Sequence, residues 1–220
     1  MASMQFFAHP FSSYCQKVLI ALYENDISFE WRALTPEDER TAAEHAARWP
    51  LKRMPVLVDG DRTVVEATII IEYLGVHHPG PLRLIPQDAD AAIDVRMMDR
   101  FFDNYIMTPM QKIVGDSLRA PENRDRQGVE DARALLDSAY AWLDDKMKGR
   151  EWAAGAGFTL ADCAAAPSLF YADWTHPIGA AFGNVRDYRR RLLARPSFAR
   201  AVDEARPYRP FFPLGAPDRD

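Results

Sequence analysis

Ser12, Ser13 and Cys15 lie where an apolar run gives way to a helical pattern, a placement that lets a hydroxyl or a thiol do chemistry. The stretch is Phe7-Ala8-His9-Pro10-Phe11-Ser12-Ser13-Tyr14-Cys15-Gln16-Lys17-Val18. It predicts a strand over 4–8, a turn, and a helix over 13–25 that opens at the serines. A serine at a helix start caps the free amides of the first turn. Those amides and the macrodipole also favour an anion there. The plain function of such a serine is the cap. The chemical one is to stabilise a thiolate or an oxyanion.

Two further stretches carry the same potential. Met54-Pro55-Val56-Leu57-Val58 puts a proline at the first residue of an apolar strand, where the missing N–H costs no ladder bond. An X-Pro bond is the common place for a cis peptide, and a cis bond here would turn the Met54 backbone outward to meet a ligand. Glu66-Ala67-Thr68 then opens a helix whose apolar face is Ile69, Ile70, Tyr73 and Leu74.

The elements that must position these residues follow from pattern. Residues 27–34 alternate apolar and polar, the period of a strand. Residues 36–49 are weakly helical. Asp59-Gly60-Asp61 is a hairpin turn between Val56-Leu57-Val58 and Thr63-Val64-Val65. The first eighty residues thus read strand–helix–strand–helix–strand–strand–helix, which implies a mixed sheet. Residues 77–88 hold three prolines and a glycine and predict a linker. Helical spacing dominates afterwards, over 89–115 with a kink expected at Thr108-Pro109, over 125–148, from Thr159 to Tyr171, and in two shorter helices near 185–194 and 197–205. Thr159-Leu160-Ala161-Asp162 has the form of a capping box ahead of a helix apolar on all sides.

With 220 residues, 48% of them hydrophobic, the chain can bury one large core or two small ones. Net charge is −5 with both signs interspersed, which argues against nucleic acid as a partner. No apolar run is long enough to span a membrane. Met1-Ala2-Ser3-Met4 lacks the basic and apolar regions of a secretory signal, so a cytoplasmic location is expected, and Met4 is an alternative start. The two cysteines, Cys15 and Cys163, form no framework, and the five histidines show no zinc spacing with them, so no metal is expected.

Taken in order, these parts resemble the cytosolic glutathione S-transferases, of the bacterial, serine-type kind, over nearly the whole chain. The resemblance rests on the Ser12–Val18 turn, on Met54-Pro55-Val56-Leu57, and on Phe158-Thr159-Leu160-Ala161-Asp162. The Glu66 helix start and Arg83-Leu84-Ile85-Pro86 add to it. It implies an α/β thioredoxin-like domain over 1–78 that binds glutathione, a linker over 79–88, and an all-α domain over 89–220 that supplies an electrophile cleft. It further implies a homodimer and a detoxifying transferase or isomerase with glutathione as co-substrate. Ser12 would hold the glutathione sulfur; Met54, beside Pro55, would pair with the cysteinyl backbone. Glu66, Ala67 and Thr68 would take the γ-glutamyl end, and Lys52 or Arg53 the glycine carboxylate. Cleft walls for a small hydrophobic electrophile would be His9, Pro10, Phe11, Phe101, Phe102 and Tyr105, with the Phe211-Phe212 tail nearby. For the 101–105 stripe, core packing is the competing role.

The implied chemistry is energetically reasonable. Ionising a thiol at neutral pH takes roughly 2.7 kcal/mol of differential stabilisation. One hydrogen bond to the charged form contributes about 1.5–3 kcal/mol, and a helix start up to about 1 kcal/mol. Two positions depart from the family pattern: Ala67 stands where a serine is usual, and Leu51 where a glycine is common. Loss of the serine hydroxyl costs about 1 kcal/mol of binding, and Thr68 is the nearest substitute. Two other functions stay open on sequence: thiol–disulfide exchange through Cys15, and non-catalytic binding.

Overall fold

The structure, a computed structural model, describes residues 4–220; residues 1–3, ahead of the alternative start at Met4, lie outside them. Four strands, β1 (Gln5–Ala8), β2 (Glu30–Ala33), β3 (Val56–Asp59) and β4 (Arg62–Val65), form one sheet in the order β2-β1-β3-β4. The β1–β2 pair is parallel, because helix α1 (Ser13–Glu24) carries the chain across between them. The β1–β3 and β3–β4 pairs are antiparallel. The latter closes through Gly60-Asp61, with Gly60 at φ 58, a conformation glycine adopts without steric cost. Successive side chains of β1 point to opposite faces. Phe6 and Leu57 pack with the main core, while Phe7, Val56 and Val58 form a separate cluster with Leu34 and Trp49 on the far face.

Helix α2 (Glu39–Arg48) covers that far face, and α3 (Ala67–His77) packs with α1 on the other. This is the mixed sheet that the strand and helix order implied, in the thioredoxin-like α/β layer that the resemblance implied. The rest is helical: α4 (Ala89–Phe101), α5 (Thr108–Ser117), α6 (Arg126–Lys146), α7 (Leu160–Thr175), α8 (Gly183–Leu193) and α9 (Pro196–Ala205), with a short 3-10 turn at Pro121–Asn123. A second 3-10 segment over Arg206–Phe211 leads the tail back towards the first domain. Among the described residues no helix is long and apolar enough to cross a membrane.

The expected kink at Thr108-Pro109 takes another form. Between α4 and α5 the chain widens into a π-helical turn, Phe102–Met107. Pro109 has no N–H to give and its ring crowds the carbonyl four residues back, so the preceding turn loosens its register. The Thr108 hydroxyl donates to the Asp103 carbonyl at 2.9 Å and ties the turn together.

Helix α7 is buried along nearly its whole length. Its start is fixed by Asp162, whose carboxylate accepts from the Thr159 N–H (2.8 Å), the Thr159 hydroxyl (3.0 Å), the Ala153 N–H (2.9 Å) and the Tyr188 hydroxyl (2.6 Å). Four donors thereby converge on one carboxylate at the helix origin, and α1 packs along the helix it starts. Along α1, Gln16 donates to the Tyr171 hydroxyl on α7 (3.1 Å), Tyr23 to Glu204 on α9 (2.6 Å), and Glu24 accepts two bonds from Arg195 at 2.6 Å each.

Candidate active site

Ser12 is the residue before α1, at φ −87, ψ 122, and its hydroxyl oxygen accepts from the Cys15 N–H at 3.4 Å. Cap and chemistry are therefore compatible, since accepting a bond leaves the O–H free to donate. Ser13 points into the protein and is buried. The Met54–Pro55 peptide is cis. Glu66, the residue before α3, holds φ 69, ψ 119, and its side chain does not cap the helix. A left-handed backbone at a residue with a Cβ costs about 1–3 kcal/mol. Lys52 is also left-handed, at φ 53, one residue beyond the exposed Leu51.

A cleft of about 870 Å³ gathers these pieces. Ser12, Lys52, Arg53, Met54, Pro55, Glu66, Ala67 and Thr68 all line it, although they come from three separated stretches of chain. The Thr68 hydroxyl, however, is spent. It donates to Asp99 Oδ2 (2.9 Å) and accepts from Lys17 Nζ (3.0 Å) and Arg100 Nη2 (2.5 Å). It does not stand in for the hydroxyl missing at Ala67.

Thr68 belongs to a charge cluster beneath the cleft. Lys17 Nζ meets Asp99 Oδ1 at 2.6 Å and Asp103 Oδ2 at 2.9 Å, while Arg100 Nη2 meets Asp99 at 2.7 Å and Asp103 at 2.5 Å. Burial pushes the Asp103 carboxyl up, and the neighbouring Lys17 and Arg100 charges oppose that. Tyr14 lines the cleft beside this cluster; burial, aided by the Asp103 charge, pushes its hydroxyl up to about 12, so it stays a donor at neutral pH.

Among the described residues, the lining of the Ser12 cleft contains none of the six residues that the resemblance implied as electrophile walls. His9 packs edge-on against Tyr208 at 4.5 Å, and Phe11 sits among Tyr171, Trp174 and Phe212. Pro10 opens onto a different cleft with Tyr23, Trp31 and Tyr208. Phe101 lies tilted against Trp142 at 4.5 Å, Phe102 is fully buried towards Tyr188, and Tyr105 is half exposed beside Phe101. The tail and α6 and α8 have taken the apolar surfaces that the helical spacing left open. The helical domain faces the cleft instead with Arg96, Asp99, Arg100, Asp103, Asn104 and Gln111. The sequence reading passed over these residues. Two signals pointed to the cluster: Lys17 is the only charge in α1 before its last residue, and Asp99 and Asp103 lie one turn apart on a buried stripe.

Cys15 is fully buried, and desolvation pushes its thiol up to about 12. A thiol in that state supplies no thiolate at neutral pH for disulfide exchange. Cys163 is likewise buried and pushed up. Burial lowers the His9 pKa, and its Nδ1 accepts from the Phe11 N–H at 3.1 Å. Among the described residues no group of three or more His, Cys, Asp and Glu side chains is arranged to hold a metal ion.

Residues 6–82 match the glutathione S-transferase N-terminal domain family, and residues 101–196 match the glutathione S-transferase C-terminal domain family. The chain belongs to the glutathione S-transferase family. Among curated relatives, a probable maleylacetoacetate isomerase of Vibrio cholerae is 26% identical over 217 residues, spanning 94% of this chain and 99% of that protein. Among solved structures, a glutathione S-transferase of Methylobacillus flagellatus with glutathione bound superposes with a TM-score of 0.81 at 25% identity, over 90% of this chain and 98% of that one. One of Methylobacterium radiotolerans, in complex with glutathione sulfonate, gives a TM-score of 0.79 at 29% identity, over 91% and 95%. The protein is thus a glutathione S-transferase-like enzyme, with the α/β plus all-α architecture of that family.

Proposed function

We propose that the enzyme binds glutathione in the Ser12 cleft, ionises its thiol there, and adds the thiolate to a small electrophile, either as a conjugating transferase or as an isomerase that later releases it. The observation that carries this reading is the convergence of a capped helix start, the Met54 backbone and the α3 start on one cleft. Ser12 donates its free O–H to the sulfur, and the α1 terminus adds its positive end. Met54 pairs with the cysteinyl backbone. The first-turn amides of α3 hold the γ-glutamyl carboxylate beside Glu66, and Lys52 and Arg53 meet the glycine carboxylate. Relatives with glutathione and glutathione sulfonate bound lend support.

The enzyme would act as a cytoplasmic homodimer. Exposed apolar side chains on α3 and α4, among them Ile69 (53%), Ile93 (62%) and Met97 (41%), support a partner surface.

The test is a glutathione titration followed by ultraviolet thiolate absorbance. Wild type should bind saturably and show thiolate at neutral pH. Ser12→Ala should bind glutathione but lose the thiolate signal, with kcat/KM down about 10–100-fold. No binding by wild type, or an undiminished thiolate signal in the variant, overturns the reading.

A further inference from the structure

Beneath the segment over residues 79–86, which connects α3 to α4, lies a second cavity of about 230 Å³. Ile27 ahead of β2, Ile71 and Leu74 of α3, and Leu82 and Ile85 of the connecting segment line it. Among the described residues no Phe, Tyr or Trp does. Its polar side chains are engaged, with one exception. Asn25 accepts from the Leu82 N–H at 2.9 Å and donates to the Ala21 carbonyl at 3.2 Å. His78 meets Asp59 at 2.5 Å, and Arg96 gives Glu72 two bonds of 2.9 Å. The exception is Arg83, which is exposed on the lining and makes no hydrogen bond or ion pair among the described residues. Gly75 of α3 keeps another side of the cavity open. Its backbone is not left-handed, and an added Cβ would meet no atom within 4 Å. Glycine inside a helix costs stability relative to alanine. Neither backbone conformation nor crowding requires it here, so what this glycine preserves is open space at the cavity's edge.

We propose that this cavity binds a medium-chain alkyl carboxylate, with the hydrocarbon chain against the aliphatic walls and the carboxylate at the rim on Arg83. Burial of methylenes supplies the affinity, because the walls offer an alkyl chain contact and require no hydrogen bond from it. The free guanidinium decides which end of the ligand stays at the surface, through charge-assisted bonds to both carboxylate oxygens. A ligand polar along its length would give up its water and find no partner on these walls. A flat aromatic ligand has no phenyl or indole face here to stack on. The site is separate from the Ser12 cleft except at Glu72 and Arg96, which line both. The alkyl carboxylate therefore sits behind one wall of that cleft rather than in it.

Calorimetry on the full chain with hexanoate, octanoate and octanol tests this. Octanoate should bind saturably and about tenfold more tightly than hexanoate, through its extra buried methylenes. It should also bind about tenfold more tightly than octanol, which lacks the charge. Arg83→Gln should weaken octanoate by about tenfold and leave octanol unchanged. Gly75→Leu fills the open edge and should abolish binding of both, with the unfolding midpoint held or raised because leucine is the better helix former. Neither residue lines the Ser12 cleft, so ligand bound there would not respond to these changes. No saturable octanoate binding by wild type, or an octanoate affinity unmoved in either variant, overturns the site. Equal affinities for octanol and octanoate overturn the assignment of Arg83.

Discussion

Lys17 on α1 and Asp99 on α4 form a 2.6 Å ion pair with both side chains only 1% exposed. The pair lies between the two domains, and Asp103 and Arg100 complete it. Burying one cation with two carboxylates is tolerable only while the guanidinium shares the load. Lys17, Asp99 and Arg100 also hold Thr68, so the first turn of α3 is tied by charges to both α1 and α4.

Removing Lys17 should therefore hurt stability first. Lys17→Met leaves two buried carboxylates to Arg100 alone and should cost about 3–5 kcal/mol in urea unfolding. An unchanged denaturation midpoint would sink this account of the cluster.

Restoring a hydroxyl at position 67 should do the opposite for binding. With Thr68 committed to the cluster, Ala67→Ser adds a free donor at the α3 start. Glutathione affinity should rise about fivefold, the equivalent of about 1 kcal/mol. Calorimetry reads this directly, and equal affinities would mean that the γ-glutamyl carboxylate lies elsewhere.

Cys15 gives a prediction with a definite sign. Its folded pKa is raised from near 9 to about 12, so the folded protein keeps a proton that the unfolded chain gives up. The stability it contributes is whole below the unfolded value and is lost as pH rises through the folded one. Wild type should lose stability between about pH 9 and about pH 12 more steeply than Cys15→Ala. Native Cys15 should also resist iodoacetamide at neutral pH. Rapid labelling before unfolding would revive the thiol–disulfide alternative.

The proposed homodimer is checked by light scattering. Ile69→Asp combined with Met97→Asp should convert a dimer to a monomer, because a charge on each of two apolar faces must be desolvated on association. A double variant that scatters as the wild type does would place the interface on another face.

The layout of strands and helices was legible because each element announces itself locally. Ser12 ends an apolar strand, Pro55 starts one, and Asp162 sits three residues after Thr159. Family resemblance then joined Ser12, Met54 and Glu66 across the chain, and the structure brings those residues to one cleft. What packs against the aromatic stripe was not legible for a specific reason. The 3.6-residue period shows that Phe101, Phe102 and Tyr105 lie near one another on a helix, but not which neighbour arrives to cover them. Trp142 arrives on Phe101 from 41 residues away and Tyr188 on Phe102 from 86, and no local pattern reports that. Pro109 predicts a kink, and the structure has instead a π-helical turn, Phe102–Met107, just ahead of it.

Helix α1 belongs to the first domain by sequence, but its bonds say otherwise. Gln16, Lys17, Tyr23 and Glu24 fasten it in turn to α7, to α4 with the π-helical turn, and to α9. The element that presents Ser12 is thus a strut clamped to the helical domain at both ends. The two halves cannot swing apart like a hinge without breaking that ladder. Arg100, half exposed where it joins that ladder, borders the cleft on the helical side.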